Sequence, residues 1–283
     1  MRSSNPVFAN NAEFNGRNTT QYADPSQWKI DLSGSGDGTQ APGLQAPTSP
    51  GRMTLDTVVE KTAITLGLVV LGAAVAWFLI GDINSDAALA TAWTFSMGGA
   101  LIGFVLAMVN SFKKVISPAL VMAYALVEGV FVGAFSKIIS AWVGDAGIVF
   151  QAVLATFVAA AATLAAYKFF NIQVTAKFRR VVMISLFAFM GVMVLNLVLS
   201  LFGVFPNGGL RSMDNPMLAI LVGGVAIVLG VLCLIMDFDF VERGVEAGLP
   251  ERESWRAAFG LTVTLVWLYL EILRLLAILR GDN

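Results

Sequence analysis

Four ionisable side chains fall where this apolar chain offers them little water: Glu128, Asp237, Glu271 and Arg274. A charge at the centre of a membrane helix costs roughly 2.5–3.5 kcal/mol on insertion scales, so each needs a partner or a polar cavity. Carboxylates so placed bind protons or cations. Here they have no competitor near neutral pH, because the sequence contains no histidine. That absence removes Ser-His-Asp hydrolysis, His-ligated metal sites and the usual imidazole switch. No nucleophile–base arrangement, phosphate loop or metal-ligand cluster is legible. The expectation is a protein that is no enzyme and carries no cofactor or resident metal.

The final stretch, residues 255–281, positions two of the four. Glu271 and Arg274 lie three apart and share a helix face with Gly260, Thr264 and Trp267. A face of small and polar side chains predicts a helix packed inside a bundle, turned towards a polar interior. Glu128 lies about ten residues into its own helix, roughly 15 Å from the start, a depth that makes a Glu128–Arg274 contact the expected pairing. Asp237 is read as closing the sixth helix, and the acidic residues beyond it, Asp239, Glu242, Glu246, Glu251 and Glu253, as a solvated loop. Asp237 reaches Glu271 only if that helix is tilted or ends below the headgroups. In contact, the two would share a proton and titrate as one pair, and their ionisation would push helices six and seven apart. Two readings stand for Glu271 with Arg274: an internal salt bridge that fixes packing, and a functional polar site.

The elements that must hold these groups follow from hydropathy. The chain is 57% hydrophobic and 13% charged, with a mean hydropathy of +0.76. Soluble domains carry about 25% charged residues, so the deficit points to a bilayer. Seven apolar segments suffice to cross the hydrocarbon core: 62–80, 88–109, 118–139, 147–167, 181–203, 217–236 and 257–279. Their short connections favour neighbouring antiparallel helices. Arg52, Lys61, Lys113, Lys114, Lys168, Lys177, Arg179, Arg180, Arg243, Arg252 and Arg256 flank one side, whereas Lys137, Arg211 and Arg280 flank the other. The bias predicts a cytoplasmic N-terminus and an extracytoplasmic C-terminus. Gly99-xxx-Gly103 and Gly129-xxx-Gly133 permit close approach of helix backbones. Residues 1–52 lack apolar periodicity and read as a disordered polar cytoplasmic tail, ahead of a seven-helix domain over 53–283. The Gly34 to Asp37 string inside that tail matches a protease motif by chance. A net charge of −1 gives no reason to expect nucleic acid. Val241 breaks the alternation that an EF-hand built on Asp237 and Asp239 would need.

Three stretches resemble the Bax inhibitor (YccA-like, TMBIM) membrane proteins, in their actinobacterial branch. Leu234 to Asp237 followed by Val241 is similar to the family's apolar-Asp-x-x-x-aliphatic signature. Leu268-Tyr-Leu-Glu271-Ile-Leu is similar to its final-helix motif, with Glu in place of Asp. Tyr124 to Gly133 is similar to its glycine-rich early helix. The resemblance implies an all-α polytopic fold of seven transmembrane helices, the C-terminal one enclosed by the other six. It also implies a pH-sensitive calcium leak in a bacterial inner membrane, controlled by a carboxylate pair at Asp237 and Glu271. Glu128 and Arg274 are expected to support that pair, with Ca2+ only as the permeant ion. The alternative is a regulator that transports nothing and binds a membrane AAA protease or another envelope partner through the tail.

Overall fold

The computed structural model describes residues 51–212 and 215–281. The expectations for the tail, including the Gly34 to Asp37 string, fall on residues outside that set. Among the described residues, seven helices are long and apolar enough to cross a membrane. They are α1 (Leu55–Ile80), α2 (Asp86–Phe112), α3 (Pro118–Val143), α4 (Gly147–Phe169), α5 (Ala176–Leu201), α6 (Pro216–Glu246) and α7 (Ser254–Gly281). Every expected segment lies within one of them, apart from the last two residues of 181–203, which fall just past α5. Helices satisfy their own backbone groups, which is why an apolar chain in lipid adopts them.

Local chemistry sets the ends. Thr54 and Thr57 cap α1 reciprocally, each side chain accepting from the other's backbone N–H, at 3.0 and 3.2 Å. Ser85 and Thr175 cap α2 and α5 in the simpler way. Pro118 and Pro216 open α3 and α6, where a missing N–H costs nothing. Gly144 ends α3 in the left-handed region, at φ +74°. Residues 51–53 pair with the loop between α6 and α7, Met53 N–H donating to the Leu249 carbonyl at 2.7 Å.

Short connections do not make all neighbours in sequence neighbours in space. α2 lies antiparallel along α3, and α7 along α6, but α1 packs chiefly on α3, in the same direction. The reason is the glycine seam. Gly129 and Gly133 of α3 face Val69, Gly72 and Ala73 of α1, and on another side of α2–α3 contact Gly99 faces the Phe131 backbone. Backbones this close maximise dispersion contact, the main attraction between helices in lipid.

α7 has the largest buried share of any span. Its extensive contacts are with four helices, α1, α3, α4 and α6, rather than with all six others. Val69, Ala125, Ile148, Val266 and Leu273 join in one apolar core where α1, α3, α4 and α7 meet. Hydroxyl pairs add direction: Thr65 with Thr262 at 2.8 Å, Thr57 with Ser254 at 2.8 Å, and Ser136 with Tyr269 at 2.6 Å. α5 is the opposite case. Only Val182 and Asn196 of its residues are buried, and its main contacts are α6 and the 3-10 turn Pro206–Arg211.

The far end of α7 is tied to the α3–α4 loop, where Arg280 donates to the Asp145 carboxylate and, at 2.8 Å, to Gln151. The Gly147 N–H, with Arg280 second, holds the exposed Asp145 carboxyl below the usual carboxylate range. A depressed value means that the contact stabilises the fold above the ordinary Asp range and loses its contribution as pH falls through the folded value. Arg280→Gln is therefore expected to raise the Asp145 midpoint in an NMR titration, but only part way, because the Gly147 N–H remains. A full return to the ordinary value would reverse that order of causes.

Candidate functional site

The face of α7 carrying Gly260, Thr264, Trp267, Glu271 and Arg274 turns to α5, α6 and the loop that joins them. Thr264 donates to the Asp237 carboxylate at 2.6 Å, and Gly260, one turn earlier, faces Asp237 Oδ1. Trp267 stacks on Phe189 of α5, ring centroids 6.4 Å apart. Glu271, only 5% exposed, takes an ion pair from Arg211 of the 3-10 turn. Arg274 donates to the Arg211 backbone carbonyl at 2.7 Å. Five positions, legible as one face, meet one structural unit.

The partners differ from those expected. Glu128 does not meet Arg274: its carboxylate lies against Gly103 of α2, where an added Cβ would come within 2.6 Å of it. Among the described residues it has no hydrogen bond, and no arginine stands beside it. Arg274 supports the loop bearing Arg211 and makes no ion pair with Glu271 within 4.0 Å. Glu271 Oε2 is fully buried without a hydrogen-bond partner among the described residues.

Asp237 of α6 reaches α7 at a station separate from that of Glu271. Thr264, which holds Asp237, lies seven residues before Glu271, about 10 Å along the axis. A tilt of α6 does not close that gap, since α6 runs antiparallel to α7 with Asp237 fixed at Thr264. The two carboxylates thus have different partners and share no hydrogen bond.

Asp237 does not close α6. The helix continues to Glu246, because apolar positions persist at helical spacing: Leu234, Phe238, Val241 and Val245 all pack with the Met53–Leu261 core. Asp239 is correspondingly no loop residue. It is 5% exposed and accepts from Arg179 of α5 at 3.0 Å and from Arg243 at 2.9 Å. Glu242 also leaves the loop, accepting from Tyr167 of α4. Glu251 and Glu253 stay between α6 and α7, paired with Lys61 and Arg256.

Two residues of weight were missed. Asp239 had a signal in the continuing Leu234-to-Val245 spacing. Arg211 had none beyond its position in a short loop, since only the return of that loop into the bundle brings it to Glu271.

A family model described as Bax inhibitor 1 like matches residues 5–281. No curated protein matches the chain.

Proposed function

The chain belongs to the Bax inhibitor 1-like family, and from that premise we propose that it is a passive, pH-sensitive leak for calcium or other cations. The observation that supports this reading is the stripe on α7, with carboxylates at two depths and one buried oxygen of Glu271 unpartnered. Cations pass such stations when each holds them weakly and in succession. In this reading Arg211 occupies Glu271 in the closed state, while Asp237 and Thr264 form the second station, with Arg274 holding the Arg211 loop.

Glu271 faces an arginine and not a second carboxylate, so neutralising it acts on an attraction rather than on a repulsion. In proteoliposomes loaded with a calcium dye, Glu271→Gln and Asp237→Asn are each expected to alter the pH-dependent flux. Equal flux from wild type and both variants at every pH would end this reading.

A second reading draws on the polar tail of residues 1–52: a regulator that transports nothing and engages a membrane protease or envelope protein. Deleting residues 1–50 separates the two. The leak predicts unchanged flux; the regulator predicts no flux in either form and loss of the partner on co-purification. Both readings take a bacterial inner membrane from the family resemblance and a cytoplasmic N-terminus from the asymmetry of basic residues.

A further inference from the structure

The seam between α5 and α6 has a shape and charge that no part of the leak uses. At the end of the bundle where α5 begins and α6 ends, a cleft of about 340 Å³ opens between them. Arg179 and Arg243 line it, with Met183, Met236 and Phe240 as its apolar wall. Both guanidinium groups are half-exposed, with side chains 51% and 55% accessible. Asp239 holds them from behind, using Arg179 Nη2 and Arg243 Nε, and Arg243 Nη2 donates to the Val174 carbonyl at 2.9 Å. Arg179 Nε and Nη1 and Arg243 Nη1 have no partner among the described residues. Two cations against one carboxylate leave an excess of one positive charge in the cleft, while around it the exposed Lys177 and Arg180 on the first turns of α5 offset Glu242 and Glu246 on the last turns of α6.

Next along the same seam, the apolar walls continue. A second cavity of about 790 Å³ lies between α5 and α6, lined by Phe189, Val192, Gly224 and Val228. Arg179 is the fourth residue of α5 and Arg243 lies three before the end of α6, which puts the cationic cleft within about 6 Å of the helix ends. The apolar cavity therefore lies deeper than the cationic one. Cation at the rim with hydrocarbon-lined groove below matches one class of molecule.

We propose that the α5–α6 seam is a binding site for an anionic phospholipid, its phosphate between Arg179 and Arg243 and an acyl chain in the groove beneath. Basic pockets between membrane helices take such headgroups because the guanidinium fork matches phosphate oxygens. The lipid also gives α5, otherwise held mainly by α6, a second attachment to the bundle.

The full chain is incorporated into vesicles of equal parts phosphatidylcholine and phosphatidylglycerol, extracted in mild detergent, and the co-purifying lipids are quantified. At about 1 kcal/mol for one net charge near the surface, the retained phosphatidylglycerol should outnumber phosphatidylcholine about five to one. The triple variant Arg179→Gln, Asp239→Asn, Arg243→Gln removes pair and excess together and so strands no buried charge; its enrichment should fall towards unity. Met183→Trp fills the cleft with its charges intact and should reduce retention of phosphatidylglycerol in a protein that elutes and melts like wild type. Lipids retained in the supplied ratio by wild type overturn the proposal, as does enrichment that survives the triple variant. Inorganic phosphate displacing the lipid at similar concentration, or Met183→Trp leaving retention unchanged, would show anion binding without the groove and equally defeat it.

Discussion

Arg211→Ala is expected to destabilise the folded chain by about 3–5 kcal/mol, the cost of leaving a buried charge without its partner. Glu271 is 5% exposed and Oε2 already lacks a hydrogen bond among the described residues, so it has no reserve of solvation. Arg274 stands nearby, yet it is engaged with the Arg211 carbonyl, a contact the substitution keeps in principle and loosens in practice. Glu271→Gln should cost less, about 1–3 kcal/mol, because the Arg211 side chain remains 22% exposed and can turn to water. Arg211→Gln with Glu271→Gln should recover much of the loss from Arg211→Ala, since two neutral amides can pair. Thermal unfolding in detergent reads all three. If Arg211→Ala melts with wild type, the ion pair is not what holds the α5–α6 loop against α7. In flux measurements the same variant should differ from wild type while it elutes as a folded protein, which separates a broken latch from a collapsed bundle.

The second large effect concerns the α1–α3 crossing. Gly129→Ala is expected to cost about 3 kcal/mol, the upper end for overpacking. A Cβ at Gly129 would run into the Val69 carbonyl oxygen and approach Gly72 Cα to 3.0 Å. Those are backbone atoms, which a rotamer change cannot move aside; α1 as a whole must shift. Gly133→Ala meets the Ala73 backbone and should behave alike. Gly67 of α1 and Gly191 of α5 supply the contrast, with no atom within 4 Å of an added Cβ. Alanine at those two should be neutral or stabilising by roughly 0.5–1 kcal/mol, through helix propensity alone. Similar melting temperatures for Gly129→Ala and Gly67→Ala would mean that the seam is looser than its geometry indicates.

Both expectations draw on information of different range. Hydropathy and residue spacing determined what is local: the seven spans, the all-α class, the glycine positions suited to close crossings, and the face of α7 that gathers Gly260, Thr264, Trp267, Glu271 and Arg274. Each is fixed by the 3.6-residue period or by the thickness of hydrocarbon, and both can be read from one helix at a time. The resemblance to the Bax inhibitor proteins was legible for the same reason, in short runs around Asp237 and Glu271.

Tertiary structure decided who meets whom. Arg211 looked like a loop residue until the 3-10 turn folded back against α7, and no spacing encodes how far a loop returns. Asp237 reaches the α7 face that carries Glu271, yet the antiparallel register of α6 sets the two carboxylates two turns apart, a quantity neither helix contains. Glu128 had the depth to meet Arg274 but faces α2, because the α1–α3 and α2–α3 glycine contacts fix the rotation of α3. Charge type and helix face are properties of the chain; depth matching and rotation are properties of the packed bundle, where side-chain partners are chosen by which surfaces can approach most closely.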